Sequence, residues 1–323
     1  ITLTPLGVFS YTFLILDKDK RFLKTTFSTY ISPKLIDQMV DGKTVPKLGG
    51  DEDIHTAVFT DIQEFSRFSE QLTPTELVEL LNDYLTEMTN ILLDNQGTLD
   101  KYIGDAIVAF YGAPVPVEDH EYKACLTALL MQKKLYELRK KWKTESKYWP
   151  NIVYNMQMRI GIHTGKMVTG NMGSKHRMNY TMMGDTVNLA ARLESSAKQY
   201  GIYSQISEET YLSIQDRISV RELDHVRVFG KENPVKTYEL ISLRGQEPEW
   251  YKQINEPFAK GIHHFQKGEF EKAKQLFELT VENENMFDGR NINPSLLYVE
   301  RCNMLIKKPP KEWDGIWSLT SKK

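Results

Sequence analysis

Cysteine is scarce in this chain of 323 residues. Cys125 and Cys302 are the only two, and both fall in stretches with helical apolar spacing. A disulfide framework is therefore not expected, and a reducing compartment suits the chain better. An excess of charge is missing too. Lys and Arg number 41 against 43 Asp and Glu, a formal net charge of −2, so no broad field attracts a nucleic acid or another polyanion. Any nucleotide must be met by a local cluster of cations. Long apolar runs are also lacking: the uncharged stretch from Ile1 to Leu16 would span about 24 Å as a helix, short of a hydrocarbon core of roughly 30 Å. It reads either as the stump of a transmembrane helix, with Lys18, Lys20, Arg21 and Lys24 marking the cytoplasmic side, or as a buried or frayed helix, which Pro5 and Gly7 favour.

What is present is an ordinary globular composition, 41% hydrophobic and 26% charged, with room for one large domain and a smaller part. Residues 17–47 read as a helical connector and linker, with Ser32 capping and Pro33 at the first position of SPKLIDQMV. HTAVFTDI then reads as a strand. Thr73 to Glu76 form a capping box, and Leu77, Leu80, Leu81, Tyr84, Leu85, Met88, Ile91 and Leu92 hold helical spacing up to Gly97. TLDKYIGDAIVAFYG reads as two strands around a turn at Gly104, followed by a helix from about Asp119 to Trp142. MQMRIGIHTG and KMVTG read as strands, and Asp185 as the cap of a helix that stops at Gly201. This order defines an α+β, ferredoxin-like βαββαβ domain with extra strands over 48–243. Residues 244–323 have the small-and-aromatic rhythm of a tetratricopeptide-like helical pair, which must pack on the domain before it or on a second copy.

Two constellations carry chemistry. Asp61 stands at the end of a strand and Asp105 in a hairpin turn, and a sheet that brings them together offers Mg²⁺ the one or two carboxylates it takes from protein. The backbone N–H groups that follow, entering a helix around Glu64 to Phe68, suit a polyphosphate; Phe65 is the backbone position there, while its ring belongs in the core. In GDTVNLAAR, Asn188 and Arg192 lie four apart on one helical face, and Leu189, Ala190 and Ala191 leave space around an amide and a guanidinium that could reach one phosphate.

FTDIQEFSRFSE, LDKYIGDAIVAFYGAP, MRIGIHTG, NYTMMGDTVNLAARLE and VFGKENPVKTYEL together resemble, in order, the motifs of the class III adenylyl and guanylyl cyclase catalytic domain. The resemblance implies that Asp61 and Asp105, with the Ile62 carbonyl, hold two Mg²⁺ or Mn²⁺ ions per site. It implies that Arg159 reaches the terminal phosphates, Lys101 and Thr181 read the base, Asn188 positions the ribose and Arg192 binds the α-phosphate. Many relatives carry Lys where this chain has Phe229, and Lys231 is the nearby cation for the phosphates. FSTYISPKLIDQM and the C-terminal PKEWDGIWSLTSKK further resemble membrane-anchored bacterial cyclases with an upstream sensor, which implies a cytoplasmic catalytic region of a membrane protein.

The activity so implied is adenylate cyclase: in-line attack of the ribose 3′-oxygen of ATP on the α-phosphorus, giving 3′,5′-cyclic AMP and pyrophosphate, at sites shared across a homodimer. None of the motifs holds an obvious general base. Lys101 can only donate and the Thr181 hydroxyl can accept, a complement that fits the N1 acceptor and N6 donor of adenine. Guanylate cyclase and a non-catalytic regulatory scaffold are the alternatives. A diguanylate cyclase is disfavoured because GGDED at 49–53 precedes the first expected strand. His163 and His176 read as packed or surface histidines without a catalytic part.

Overall fold

The computed structural model describes residues 47–145, 147–227, 234–284 and 292–318. The uncharged N-terminal run, the connector through residue 46, Phe229 and Lys231 lie outside them. Strand β1 (Gly49–Ile62), helices α1 (Phe65–Gln71) and α2 (Pro74–Asp94), strands β2 (Thr98–Ile103) and β3 (Ala106–Tyr111), and helix α3 (His120–Thr144) open the fold. After them come α4 (Asn151–Tyr154), β4 (Met158–Ser174), β5 (Arg177–Met183), α5 (Asp185–Tyr200), β6 (Ser204–Ser207) and α6 (Glu208–Ile214). Strands β7 (Ile218–Arg227) and β8 (Val235–Leu243), helices α7 (Glu249–Gln266), α8 (Phe270–Glu284) and α9 (Pro294–Lys307), and β9 (Trp317–Ser318) complete it.

The sheet runs β2-β3-β1-β4-β6-β8-β7-β9, with β5 on β4. Its first four strands have the order of the split βαβ arrangement. Alternation along β1 assigns the faces. Val58 and Ile62 join Leu80, Tyr84, Met88, Met131 and Leu135 of α2 and α3 in one core, whereas Ala57 and Phe59 pack with Val108, Phe110 and Ala190 beneath α5. Helix α2 starts as its sequence dictates. Thr73 and Glu76 exchange both bonds of the capping box, and Pro74 takes the first turn.

Three sequence expectations change. GGDED does not precede β1 but begins it: Gly49 to Asp53 pair with Asn171 to Met167 of β4, and since these residues are exposed, no apolar alternation marked them. The two strands read at MRIGIHTG and KMVTG are one, because β4 continues through Gly165, which pairs with His55; there Thr186 Oγ1 would stand 3.1 Å from an added Cβ. Finally, Asp185 does not cap α5. Gly184 does, at φ 143, and Asp185 is the first-turn acid inside the helix, where a negative charge suits the helix dipole.

In the C-terminal segment helices α7 and α8 pack together with a third helix, α9. They share a core of Phe258, Ile262, Phe265, Phe277, Tyr298 and Cys302. They pack on their own chain: Tyr298 donates to the Leu223 carbonyl at 2.8 Å, Arg301 pairs with buried Asp224 at 2.5 Å, and Arg221 bridges Glu239 of β8 to Glu284 of α8. Cys125 and Cys302 are both free and buried. Among the described residues no helix is long and apolar enough to cross a membrane.

Candidate functional site

Sheet register brings the first constellation together. β1 lies between β3 and β4, so its C-terminal end meets both the turn before β3 and the start of β4. Gly104, at φ 65, makes the tight turn that leaves Asp105 beside Ile62, whose N–H donates to Asp105 Oδ2 at 2.8 Å. The carboxyl groups of Asp61 and Asp105 are near enough to influence each other's ionisation. Burial pushes Asp105 up to about 6, opposed by the Ile62 N–H and reinforced by the charge of Asp61. Burial also raises Asp61, against the pull of Arg159. Two hard oxygen donors whose burial opposes their ionisation are suited to a divalent cation. Among the described residues no group of three or more His, Cys, Asp or Glu forms a closed protein cage for a metal; a two-carboxylate corner fits Mg²⁺ or Mn²⁺ whose other ligands are phosphates and water.

Arg159 stands directly across from Asp61 in the β1–β4 ladder. Its Nη2 donates to Asp61 at 2.7 Å and its Nε to Glu194 Oε1 at 2.8 Å, which leaves Nη1 as the nitrogen to offer a phosphate. The sequence did not single out Glu194. The available signal was an acid on the face of α5 that otherwise buries Leu189, Ala190, Leu193 and Ala197. Contact between α5 and β4 depends on Gly161, where an added Cβ would lie 2.2 Å from the Glu194 nitrogen and 2.3 Å from the Ala190 oxygen.

Lys101 on β2 and Thr181 on β5 are 80 positions apart in sequence, yet Lys101 Nζ donates to Thr181 Oγ1 at 3.2 Å. The expected base-reading pair is therefore one physical unit. A third member escaped the sequence reading: Asp100, whose side chain is 2% exposed, accepts the Thr181 hydroxyl at 2.5 Å.

Asn188 lies on the exposed side of α5. One turn on, Arg192 has a buried Nη1 with no hydrogen-bond partner among the described residues, an unsatisfied cation that an anion would satisfy. No hydrogen bond or ion pair of the described residues joins either of them to the Asp61–Asp105 corner. The N–H groups after Asp61 are less available than expected, because Ile62 donates to Asp105 and Gln63 to the Gln157 carbonyl at 2.8 Å. Phe65 begins α1 and its ring packs on the main core. His163 is buried against Ser207 and His176 is exposed, as expected of structural histidines.

Two neighbouring carboxyls, a guanidinium with a buried nitrogen left without a partner among the described residues, and a paired ammonium and hydroxyl thus stand on one ferredoxin-like sheet. Residues 51–242 match the family model for the adenylate and guanylate cyclase catalytic domain, and the chain belongs to that family. It is 30% identical over 218 residues to "Adenylate cyclase 1" of Rhizobium meliloti, covering 68% of this chain and 32% of that protein. It is 33% identical over 231 residues to an adenylate cyclase of Anabaena cylindrica, covering 70% and 43%. The chain thus spans less than half the length of either relative. Among solved structures, the adenylyl cyclase CyaB from P. aeruginosa superposes with a TM-score of 0.55 at 34% identity, covering 62% of this chain and all of that one. A guanylyl cyclase superposes with a TM-score of 0.54 at 31% identity, covering 62% and 97%.

Proposed function

We propose that this chain is the catalytic region of an adenylate cyclase, closing ATP into 3′,5′-cyclic AMP with release of pyrophosphate, at sites shared by two copies of the chain. The observation that carries the reading is the Lys101–Thr181 contact at 3.2 Å. It sets a donor beside a hydroxyl in a part-buried place, and adenine offers N1 and N6 in the matching sense. A guanine there would leave its N1 and N2 donors facing an ammonium, and unmatched buried donors can cost 10²-fold or more.

Asp61 and Asp105, with the Ile62 carbonyl, would hold two Mg²⁺ or Mn²⁺ ions. When bound, such ions lower the pKa of the attacking 3′-hydroxyl and stabilise the leaving oxygens. The protein's own part is positioning and fixed charge. Glu194 holds Arg159 by Nε, so its guanidinium can turn from Asp61 to the terminal phosphates without losing its anchor. Asn188 orients the ribose and Arg192 meets charge that develops on the α-phosphate. Lys231, outside the described residues, remains a phosphate contact by resemblance alone, and Phe65 contributes its backbone. Among the described residues no hydrogen bond or ion pair ties Asn188 or Arg192 to the carboxylate corner of their own chain, and in the homodimer proposed each site takes the corner from one copy and α5 from the other. The upstream sensor and membrane anchor belong to this proposal only through the similarity of residues 27–39 to anchored relatives.

The test is direct. Purified protein with Mn²⁺ or Mg²⁺ is given ATP or GTP, and cyclic product is measured. Cyclic AMP in clear excess is expected. Equal kcat/KM for the two nucleotides would remove the adenylate assignment, and absence of any cyclic product would favour the regulatory, non-catalytic alternative.

A further inference from the structure

A threonine hydroxyl can donate as well as accept, so the presence of Thr181 does not by itself select adenine. Something must fix the direction of its single proton. We infer that Asp100 is a specificity-positioning residue, which takes the Thr181 proton and thereby turns that hydroxyl into an obligate acceptor toward the nucleobase. The inference rests on the adenylate cyclase reading of the same site.

The geometry is specific. Thr181 Oγ1 donates to Asp100 Oδ2 at 2.5 Å, and a carboxylate can only accept. Lys101 stands 3.3 Å from the other oxygen, Oδ1, and donates to Thr181 at 3.2 Å. The Thr181 proton is thus committed inward, one lone pair is met by Lys101, and the remaining lone pair is what the hydroxyl can offer a ligand.

Adjacent strand residues ordinarily face opposite sides of a sheet, so Asp100 and Lys101 should not both reach Thr181. The β2–β3 pairing shows why they do. Leu99 is opposite Ala109 and Lys101 opposite Val108, leaving Asp100 as the extra residue of a β-bulge. Bulges re-aim side chains in this way. Here the bulge aims an ammonium and the carboxylate that polarises its hydroxyl partner at one spot. A purely structural part for Asp100, pinning β2 to β5, would use the same contacts but would be indifferent to which base binds.

The experiment compares equilibrium affinities for the non-cyclisable analogues 3′-deoxy-ATP and 3′-deoxy-GTP with Mn²⁺, alongside kcat/KM for ATP and GTP. Asp100→Asn presents an amide that can donate to Thr181 and release its proton outward. The adenine-to-guanine affinity ratio is expected to fall about tenfold or more, while Asp100→Glu, still an acceptor, retains most of it. In a Thr181→Val background, where no hydroxyl remains, Asp100→Asn should change the ratio no further. Should the Asn variant fail to fold, Asp100→Ala asks the same question, since it also frees the Thr181 proton. A folded Asp100→Asn protein with an unchanged ratio would overturn the inference, as would an equal fall in the Thr181→Val background. The two readings fail separately. Adenine-selective binding that responds to Asp100→Asn but yields no cyclic product removes the enzymatic reading and keeps this one, whereas turnover that prefers ATP and ignores Asp100→Asn does the reverse. An unmodified protein that prefers the guanine analogue would remove both.

Discussion

Asp61 and Asp105 are costly neighbours, because the buried Asp105 carboxyl is repelled by the charge of Asp61 once both are ionised. The strain should be visible without any nucleotide. Folded Asp105 keeps its proton to about 6, while an unfolded Asp loses it near 4; between those values the folded state binds more protons, so the stability this group contributes is present at low pH and lost as pH rises through the window. Asp105→Asn keeps an acceptor for the Ile62 N–H and removes the charge. In metal-free buffer at pH 7.5 it should stabilise the protein by roughly 1–2 kcal/mol, an advantage that vanishes near pH 4, as denaturant midpoints at the two pH values would show. Activity should move the other way. Asp61→Ala and Asp105→Ala should each lower kcat to below about a tenth, more than roughly 1.4 kcal/mol of barrier, with melting not impaired; a variant that retains more would defeat the two-metal assignment. Both acids were legible in the sequence because each sits where a strand ends. Asp100 and Glu194 were not. One depends on a bulge that no residue pattern announces, and the other is an ordinary helical acid until the strand beneath supplies Arg159.

At the level of elements, the pairing of α5 with β4 positions the most chemistry, since it joins the helix of Asn188 and Arg192 to the strand of Arg159. Gly161 permits that contact. Gly161→Ala would place a methyl carbon 2.2–2.3 Å from the α5 backbone, and because neither backbone is free to yield, the helix must move. A loss of about 1–3 kcal/mol is expected from overpacking, together with a fall in activity larger than the fraction unfolded explains. Full activity on the remaining folded protein would show that α5 tolerates displacement. The long helices α2 and α3 could be read from periodicity, because each buries one face along its length, and α2 from its capping box as well. The exposed start of β1 and the strand β5 were not. The residues that open β1 pair through the backbone while their side chains remain largely in water, so no apolar alternation forms there; β5 does alternate, with Met178, Tyr180 and Met182 turned inward, but so short a pattern is easily passed over.

On the scale of the whole molecule, the C-terminal helices are fastened to the sheet by buried charge, and the proposed sites are shared between two copies. Tyr200, the last residue of α5, donates to Asp224 at 2.7 Å, the acid that Arg301 of α9 also holds. Arg301→Ala would leave Asp224 without its buried partner cation, at a cost of about 3–5 kcal/mol; a denaturant midpoint close to that of the unmodified protein would show that the tail is dispensable to the fold. The reach of the site is tested by mixing. No hydrogen bond or ion pair of the described residues joins the Asn188–Arg192 face to the carboxylate corner of its own chain, and in the proposed shared-site arrangement a second copy related by a two-fold axis supplies it. Asp61→Ala and Asn188→Ala chains, each inactive alone, are combined and allowed to exchange subunits. In a mixed dimer one site carries both lesions and the other carries neither. Random pairing makes half of the dimers mixed, each with one of its two sites intact, so activity should return to roughly a quarter of the unmodified level under the two-fold arrangement. A mixture that stays inactive after exchange has been demonstrated would mean that Asn188 serves the Asp61 of its own chain. The site would then be assembled within one chain through the packing of α5 on β4, the contact that Gly161→Ala perturbs.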